Sequence, residues 1–194
     1  MDHIKSFGLA AIAGWVVIAL AGTSIASATT LEVKGVTQTG AVTIKASLEA
    51  GTSSLLKDDF SNVTTTCSGS TIEGKTTTFT GPAVSLPVSS LTFTGCSHTT
   101  DVLASGSLSG SRIGTTTNGT VTSSGTEVLV RSTFFGINAV CRTGAGTDIG
   151  TLTGKASGQA TLDINATLDC DALGNGYWTA SYVVTSPEGL GFVG

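Results

Sequence analysis

The stretch Gly51–Cys67, GTSSLLKDDFSNVTTTC, recurs without a gap as Gly125–Cys141, GTEVLVRSTFFGINAVC, 74 positions further on. Identities fall at Gly51/Gly125, Thr52/Thr126, Leu55/Leu129, Phe60/Phe134 and Cys67/Cys141, while Leu56/Val130, Lys57/Arg131 and Val63/Ile137 agree in kind. After each copy the next cysteine follows at the same distance, Cys96 after Cys67 and Cys170 after Cys141. A repeat that holds glycine, apolar and cysteine positions in register specifies structure, so the chain reads as two halves, about 40–105 and about 114–185. The positions where the copies part, Asp58-Asp59 against Ser132-Thr133, read as exposed, and function is expected where the halves diverge.

Around the repeat the hydrophobic period is two. In Val42–Glu49 the apolar residues take the even positions. The clearest strand is Ala160–Asp169, with Ala160, Leu162, Ile164, Ala166 and Leu168 facing inward and Cys170 continuing that phase. Trp178, Ala180, Tyr182 and Val184 form the inward face of a last strand. Between Val84 and Cys96 the phase slips at Ser89-Ser90, the mark of a bulge, and Pro82 and Pro87 argue for an edge strand over 84–95. Asn118-Gly119 reads as a hairpin turn joining Thr115–Thr117 to Thr120–Thr122. No amphipathic helix of useful length follows residue 28. The fold class is therefore all-β: an antiparallel β-sandwich or barrel built from two pseudo-repeated halves and preceded by a signal-peptide helix. An immunoglobulin domain fits less well, because both tryptophans lie outside the cysteine pairs. The tail from Ser186 (SPEGLGFVG) has no period and reads as loose.

The first residues read as a signal peptide over 1–28. Lys5 supplies the positive end, Leu9–Ala21 the apolar stretch and Ala26-Ser27-Ala28 the small residues that a signal peptidase recognises. The apolar run falls short of the ~20 residues that span a bilayer. A retained anchor is the alternative. Residues 29–194 then form a single all-β domain, secreted and extracellular or associated with the cell envelope, with membrane contact only through the signal peptide. Four cysteines behind an export signal read as disulfides. Of three connectivities the equal spacing favours Cys67–Cys96 and Cys141–Cys170, each closing a loop worth roughly 3.5 kcal/mol.

The net charge of −4 survives removal of Asp2 and Lys5, and no basic patch is visible, which excludes the clustered cations that nucleic acid requires. Neither a close cysteine pair nor nearby histidine ligands offer a metal set, and no cofactor motif occurs. Beyond the signal segment there is one histidine, His98, which reads as a solvated turn residue, and Gly106–Gly110 has Leu108 where a nucleophile elbow needs serine. The carboxylates a glycosidase could use are Glu73, Asp101, Asp148, Asp163, Asp169 and Asp171; Asp163 and Asp169 share a face but lie roughly 20 Å apart along a strand. Asp169-Cys170-Asp171 with Asn175-Gly176, and Gly144–Asp148, hold oxygen ligands for calcium but read better as turns. Asn62, Asn118 and Asn165 sit in glycosylation sequons.

The run Gly144–Leu168 (GAGTDIGTLTGKASGQATLDINATL), followed by Tyr177–Tyr182 (YWTASY), resembles a group of uncharacterised secreted actinobacterial proteins with two cysteine pairs and a Thr/Gly-rich chain. More loosely, the alternation of Cys, Gly and Thr is similar to that of small secreted alkane-oxidation activators, which are linked to cell surfaces. The resemblance implies a secreted protein and brings no catalytic residues. The expected function is thus non-catalytic: a secreted or cell-surface-associated β-module with a structural, matrix or adhesive role. Its partners would be cell-envelope components or further copies of itself, with Thr29–Gln38 as a strand it could donate. The alternative is a secreted binding module for a small apolar or carbohydrate ligand near Trp178 and Tyr182; a secreted hydrolase comes third.

Overall fold

The computed structural model describes residues 28–59, 64–132 and 136–194. The expected signal segment lies outside them but for its last residue, as do Phe60, Asn62, Val63, Thr133 and Phe134 of the two copies.

Among these residues strands follow one another with almost no helix. The first half comprises β1 (Thr29–Val33), β2 (Val36–Thr37), β3 (Thr43–Leu48), β4 (Ser54–Asp58), β5 (Thr64–Lys75), β6 (Thr80–Gly81), β7 (Val84–Cys96) and β8 (Thr99–Ala104). The second comprises β9 (Ser107–Arg112), β10 (Gly119–Ser124), β11 (Glu127–Ser132), β12 (Ile137–Arg142), β13 (Thr147–Thr153), β14 (Thr161–Asp169), β15 (Asn175–Ser186) and β16 (Leu190–Val193). One 3-10 turn, Asp171–Leu173, joins β14 to β15.

Of the two architectures the sequence allowed, the chain builds the barrel. β3, β5, β7, β9, β10, β13, β14 and β15 form a closed antiparallel ring of eight strands, β15 pairing back onto β3. Closure gives each strand in the ring a neighbour on both sides along the ring itself. Four staves are long single strands: β5, β7, β14 and β15. The other four wall positions are each filled by two consecutive shorter strands. β4 pairs with the first parts of β5 and β15, and β3 with their later parts. β12 and β13 divide β14 in the same way, and β8/β9 and β10/β11 complete the set. At each break the chain passes through a glycine of positive φ: Gly51, Gly106, Gly125 and Gly146. The glycines that open the two copies thus sit at kinks where an L side chain would be strained.

The broken staves divide the barrel into a lower half, containing the closed ring, and an upper half carrying the disulfides. In the upper half the order β15-β4-β5-β7 has a counterpart in β8-β11-β12-β14. Ser54 faces Cys67 and Leu56 faces Thr65 across β4–β5; Val128 faces Cys141 and Val130 faces Ala139 across β11–β12. The two hairpins therefore share one register.

Cys67 bonds Cys96 and Cys141 bonds Cys170, each across 29 positions of sequence. The first bridge joins directly facing residues of β5 and β7. Such bonds persist in oxidising surroundings.

Inward positions along β14 and β15 are buried, and Thr161, Asp163, Asn165, Thr167 and Asp169 form the polar outer face of β14. Polar outside and apolar inside is the reverse of the pattern on a lipid-facing barrel.

Four local expectations need correction. The tail is not loose: β16 pairs along β1, and Leu190 and Phe192 are buried. Thr29–Gln38 is not a free donor strand, since β1 pairs with β2, β16 and β6. Together these strands cap the lower end of the barrel. Residues 84–95 are an edge only in part. From Val84 to Pro87 the strand lies between β5 and β9, and beyond Val88 it has a ladder with β5 alone. The bulge falls where the phase slip put it, Glu73 facing Ser90 and Gly74 facing Val88, so that Ser89 is the extra residue. Finally, a hairpin joins β9 to β10, but its loop is residues 113–118, closed by Ile113 N–H donating to Asn118 O (2.9 Å). Gly119 lies in the strand itself, facing Arg112.

Candidate functional site

The barrel is divided across its middle by aromatic rings. Trp178 and Tyr182 point inward from alternate positions of β15 and pack edge-to-face, their centroids 6.3 Å apart, and Phe93 meets Trp178 in the same manner at 5.9 Å. Their polar atoms have partners inside the barrel, as burial requires. Trp178 Nε1–H donates to Ser54 Oγ (2.9 Å). Ser70 Oγ donates to the Thr92 carbonyl (2.6 Å), so Tyr182 O–H donates to Ser70 Oγ (2.7 Å). Burial pushes the Tyr182 phenol up to about 12, against smaller opposing effects of its hydrogen bonds to Ser70 and Ser54. The expected ligand space beside Trp178 and Tyr182 is therefore largely filled by the rings.

Below them lies a chamber of about 70 Å³. Its walls include Ile72, Val121, Leu152 and Leu162 from the staves, and Leu31 and Phe192 from the cap. Among the described residues Thr76 contributes the one hydroxyl in the lining, and that oxygen accepts the Val42 N–H (2.8 Å). Phe192 closes the chamber from below because the staves carry glycine where it lies: a Cβ on Gly110 or Gly119 would fall on its ring.

Above the rings, the disulfide end contains a smaller pocket of about 20 Å³. Leu56 and Val130, matching positions of the two copies, contribute apolar walls, with Leu168 beside them. The next inward positions, Asp58 and Ser132, also match one another, and both are buried, at 5% and 2% exposure. Their reading as exposed positions is thus corrected. Leu55, identical with Leu129 in the repeat, is 38% exposed. Adjacent apolar residues, Leu55-Leu56 and Leu129-Val130, hide the phase of the alternation. The signal that finds it is the i, i+2 series Ser54–Leu56–Asp58 and Val128–Val130–Ser132. Thr65, wholly buried, lies 3.4 Å from His98 Nδ1 through its hydroxyl, and Ser97 Oγ is 3.3 Å from the same nitrogen. His98 occupies the turn between β7 and β8, as expected, but is half-buried on Thr65 rather than wholly solvated.

The carboxylates considered for catalysis are dispersed over the barrel. Glu73 pairs with Lys45 (3.0 Å), Asp101 with Arg131 (2.7 Å), and Asp171 with Arg142 through both oxygens. Asp163 accepts from Ser181 Oγ (2.7 Å), Asp148 from the Gly150 N–H (3.0 Å) and Asp169 from the Asp171 N–H (3.1 Å). The run Asp169–Asn175 therefore forms a turn with an arginine across it, and in Gly144–Asp148 the first three residues make the kink between β12 and β13 while Thr147 and Asp148 open β13. Among the described residues no three His, Cys, Asp or Glu side chains are grouped to hold a metal ion. Asn118 Oδ1 accepts the Gly154 N–H (3.1 Å), while Asn165 lies on the outer face of β14.

Compared with protein-family models, with curated proteins and with solved structures, the chain matches none of them.

Proposed function

We propose that this chain is a secreted, non-catalytic β-barrel module that holds a small apolar ligand in its lower chamber. The observation that carries the reading is the chamber itself: about 70 Å³ between the aromatic layer and the β1–β16 cap, lined almost wholly by carbon. Eight-stranded barrels either fill their interior with side chains or hold one small ligand, and apolar cavities stay dry and take apolar guests. Export is supported by the two disulfides and by the signal-like segment. The shared register of the β4–β5 and β11–β12 hairpins supports descent of the two halves from one duplicated unit.

A structural or adhesive role, through self-association or binding to the cell envelope, draws on open sheet edges, and closure of the ring leaves few of them. The observation in its favour is β8, which pairs with β11 on one edge and has no ladder on the other among the described residues.

The test is titration of the oxidised protein with xenon and then with short alkanes, followed through the methyl resonances of Ile72, Val121, Leu152 and Leu162. Saturable shifts confined to these methyls are expected, and Ala46→Leu, which fills the chamber, should abolish them. Shifts that never saturate, or that spread evenly over surface methyls, refute the reading.

A further inference from the structure

The pocket at the disulfide end has a chemistry opposite to that of the apolar chamber. We infer that it is a binding site for a primary ammonium group carried on a small amine. Among the described residues its lining includes three oxygen-bearing side chains that are at least nine-tenths buried, the carboxylate of Asp58 and the hydroxyls of Thr65 and Ser132, beside the exposed Lys57 and Tyr177. Among the described residues Ser132 Oγ has no hydrogen-bond partner. A buried hydroxyl left unsatisfied costs about 1–3 kcal/mol, so a donor that enters and reaches it is favoured by that amount before any other contact is counted.

A primary ammonium offers three N–H donors and no acceptor, which matches three oxygens around one small space. The carboxylate supplies the opposite charge where the apolar walls make that charge most effective. The pocket of about 20 Å³ has room for one group the size of a water molecule, hence for –NH₃⁺ and not for a quaternary ammonium. Leu56, Val130 and Leu168 form the apolar walls around that space. At the exposed edge, Tyr177 O–H donates to Asp59 (2.8 Å) and holds a second carboxylate near the entrance.

The two copies explain why the site suits a single positive charge. Their apolar positions agree around the pocket, Leu56 with Val130, whereas their polar ones differ, Asp58 against Ser132 and Thr65 against Ala139. Two aspartates at these matching positions would repel each other; an aspartate at one and a serine at the other put one carboxylate and one neutral acceptor in the lining.

The site is independent of the apolar chamber, and its test does not involve it. The oxidised chain is titrated with methylammonium and butylammonium by calorimetry and by amide shifts of β4 and β11, with tetramethylammonium and 1-butanol as counter-probes. Saturable binding of the two primary amines alone is expected, weakened about tenfold by Asp58→Asn and about threefold by Ser132→Ala. Butylammonium binding unchanged in Ser132→Ala overturns the inference. So does equal binding of tetramethylammonium, or no saturable binding at all, the pocket then holding only water. If Asp58→Asn does not fold, Ser132→Ala and the contrast among probes on the unsubstituted chain still decide.

Discussion

Phe192 offers the sharpest test of how the barrel is closed. It stands near the end of the chain, yet it is 4% exposed and rests on the two glycines of neighbouring staves, Gly110 and Gly119. Truncation by Phe192→Ala removes a ring from a site that cannot collapse well, because the staves beneath it are held in a closed ladder. The expected loss lies within the ~3–5 kcal/mol range for buried Phe→Ala, nearer the upper end. For a domain of this size that corresponds to a fall in Tm of roughly 10 °C. Gly119→Ala attacks the same contact from the other side. Its new methyl would fall on the ring and within 2.8 Å of the Ser111 carbonyl oxygen, an overpacking that costs about 1–3 kcal/mol. The double variant carries the decisive information. With the ring gone, the methyl occupies vacated space, so the two losses should fall short of adding by at least ~1 kcal/mol. Urea unfolding of the four proteins at 25 °C, followed by Trp fluorescence, measures the cycle. Additivity within about 0.5 kcal/mol would falsify the packing argument, and a loss below ~1 kcal/mol for Phe192→Ala alone would return the tail to a loose appendage.

Two further outcomes follow from the interior and from the bridges. The Tyr182 phenol is raised in the folded state, so its contribution to stability is fully present below the ordinary value near 10 and is lost as pH rises towards about 12. Unfolding free energy should fall by ~2–3 kcal/mol across that window, and Tyr182→Phe should flatten the decline; equal slopes in the two proteins would sink the assignment. Replacing Cys67 and Cys96 together by alanine should lower stability by roughly 3.5 kcal/mol, and replacing Cys141 and Cys170 should cost a similar amount, since both bridges close equal loops. Peptide mapping under non-reducing conditions that found Cys67 linked to Cys141 would contradict the barrel's strand order as well as the bridges.

Alternation, glycine placement and cysteine spacing are local properties; they carried the strands and the bulge at Ser89-Ser90 from the chain and favoured one of three disulfide pairings. Ala160–Leu168 and Trp178–Val184 could be assigned an inward face because polar and apolar residues alternate there without ambiguity. In β4 and β11 two neighbouring apolar residues satisfy either phase, and only the ladder to β5 and β12 shows that Leu56 and Asp58 turn inward while Leu55 turns out. Likewise SPEGLGFVG carries no period, because Leu190 and Phe192 are buried by what they plug, a barrel end assembled from residues far away in sequence. Closure is the same kind of fact. Whether a set of antiparallel strands stacks as two sheets or returns upon itself depends on β15 meeting both β14 and β3, a pairing that no local pattern encodes. The repeated stretch, read alone, specified hairpins and cysteines. Folding placed its two copies around one pocket and turned their divergent positions, Asp58 and Ser132, into its polar lining.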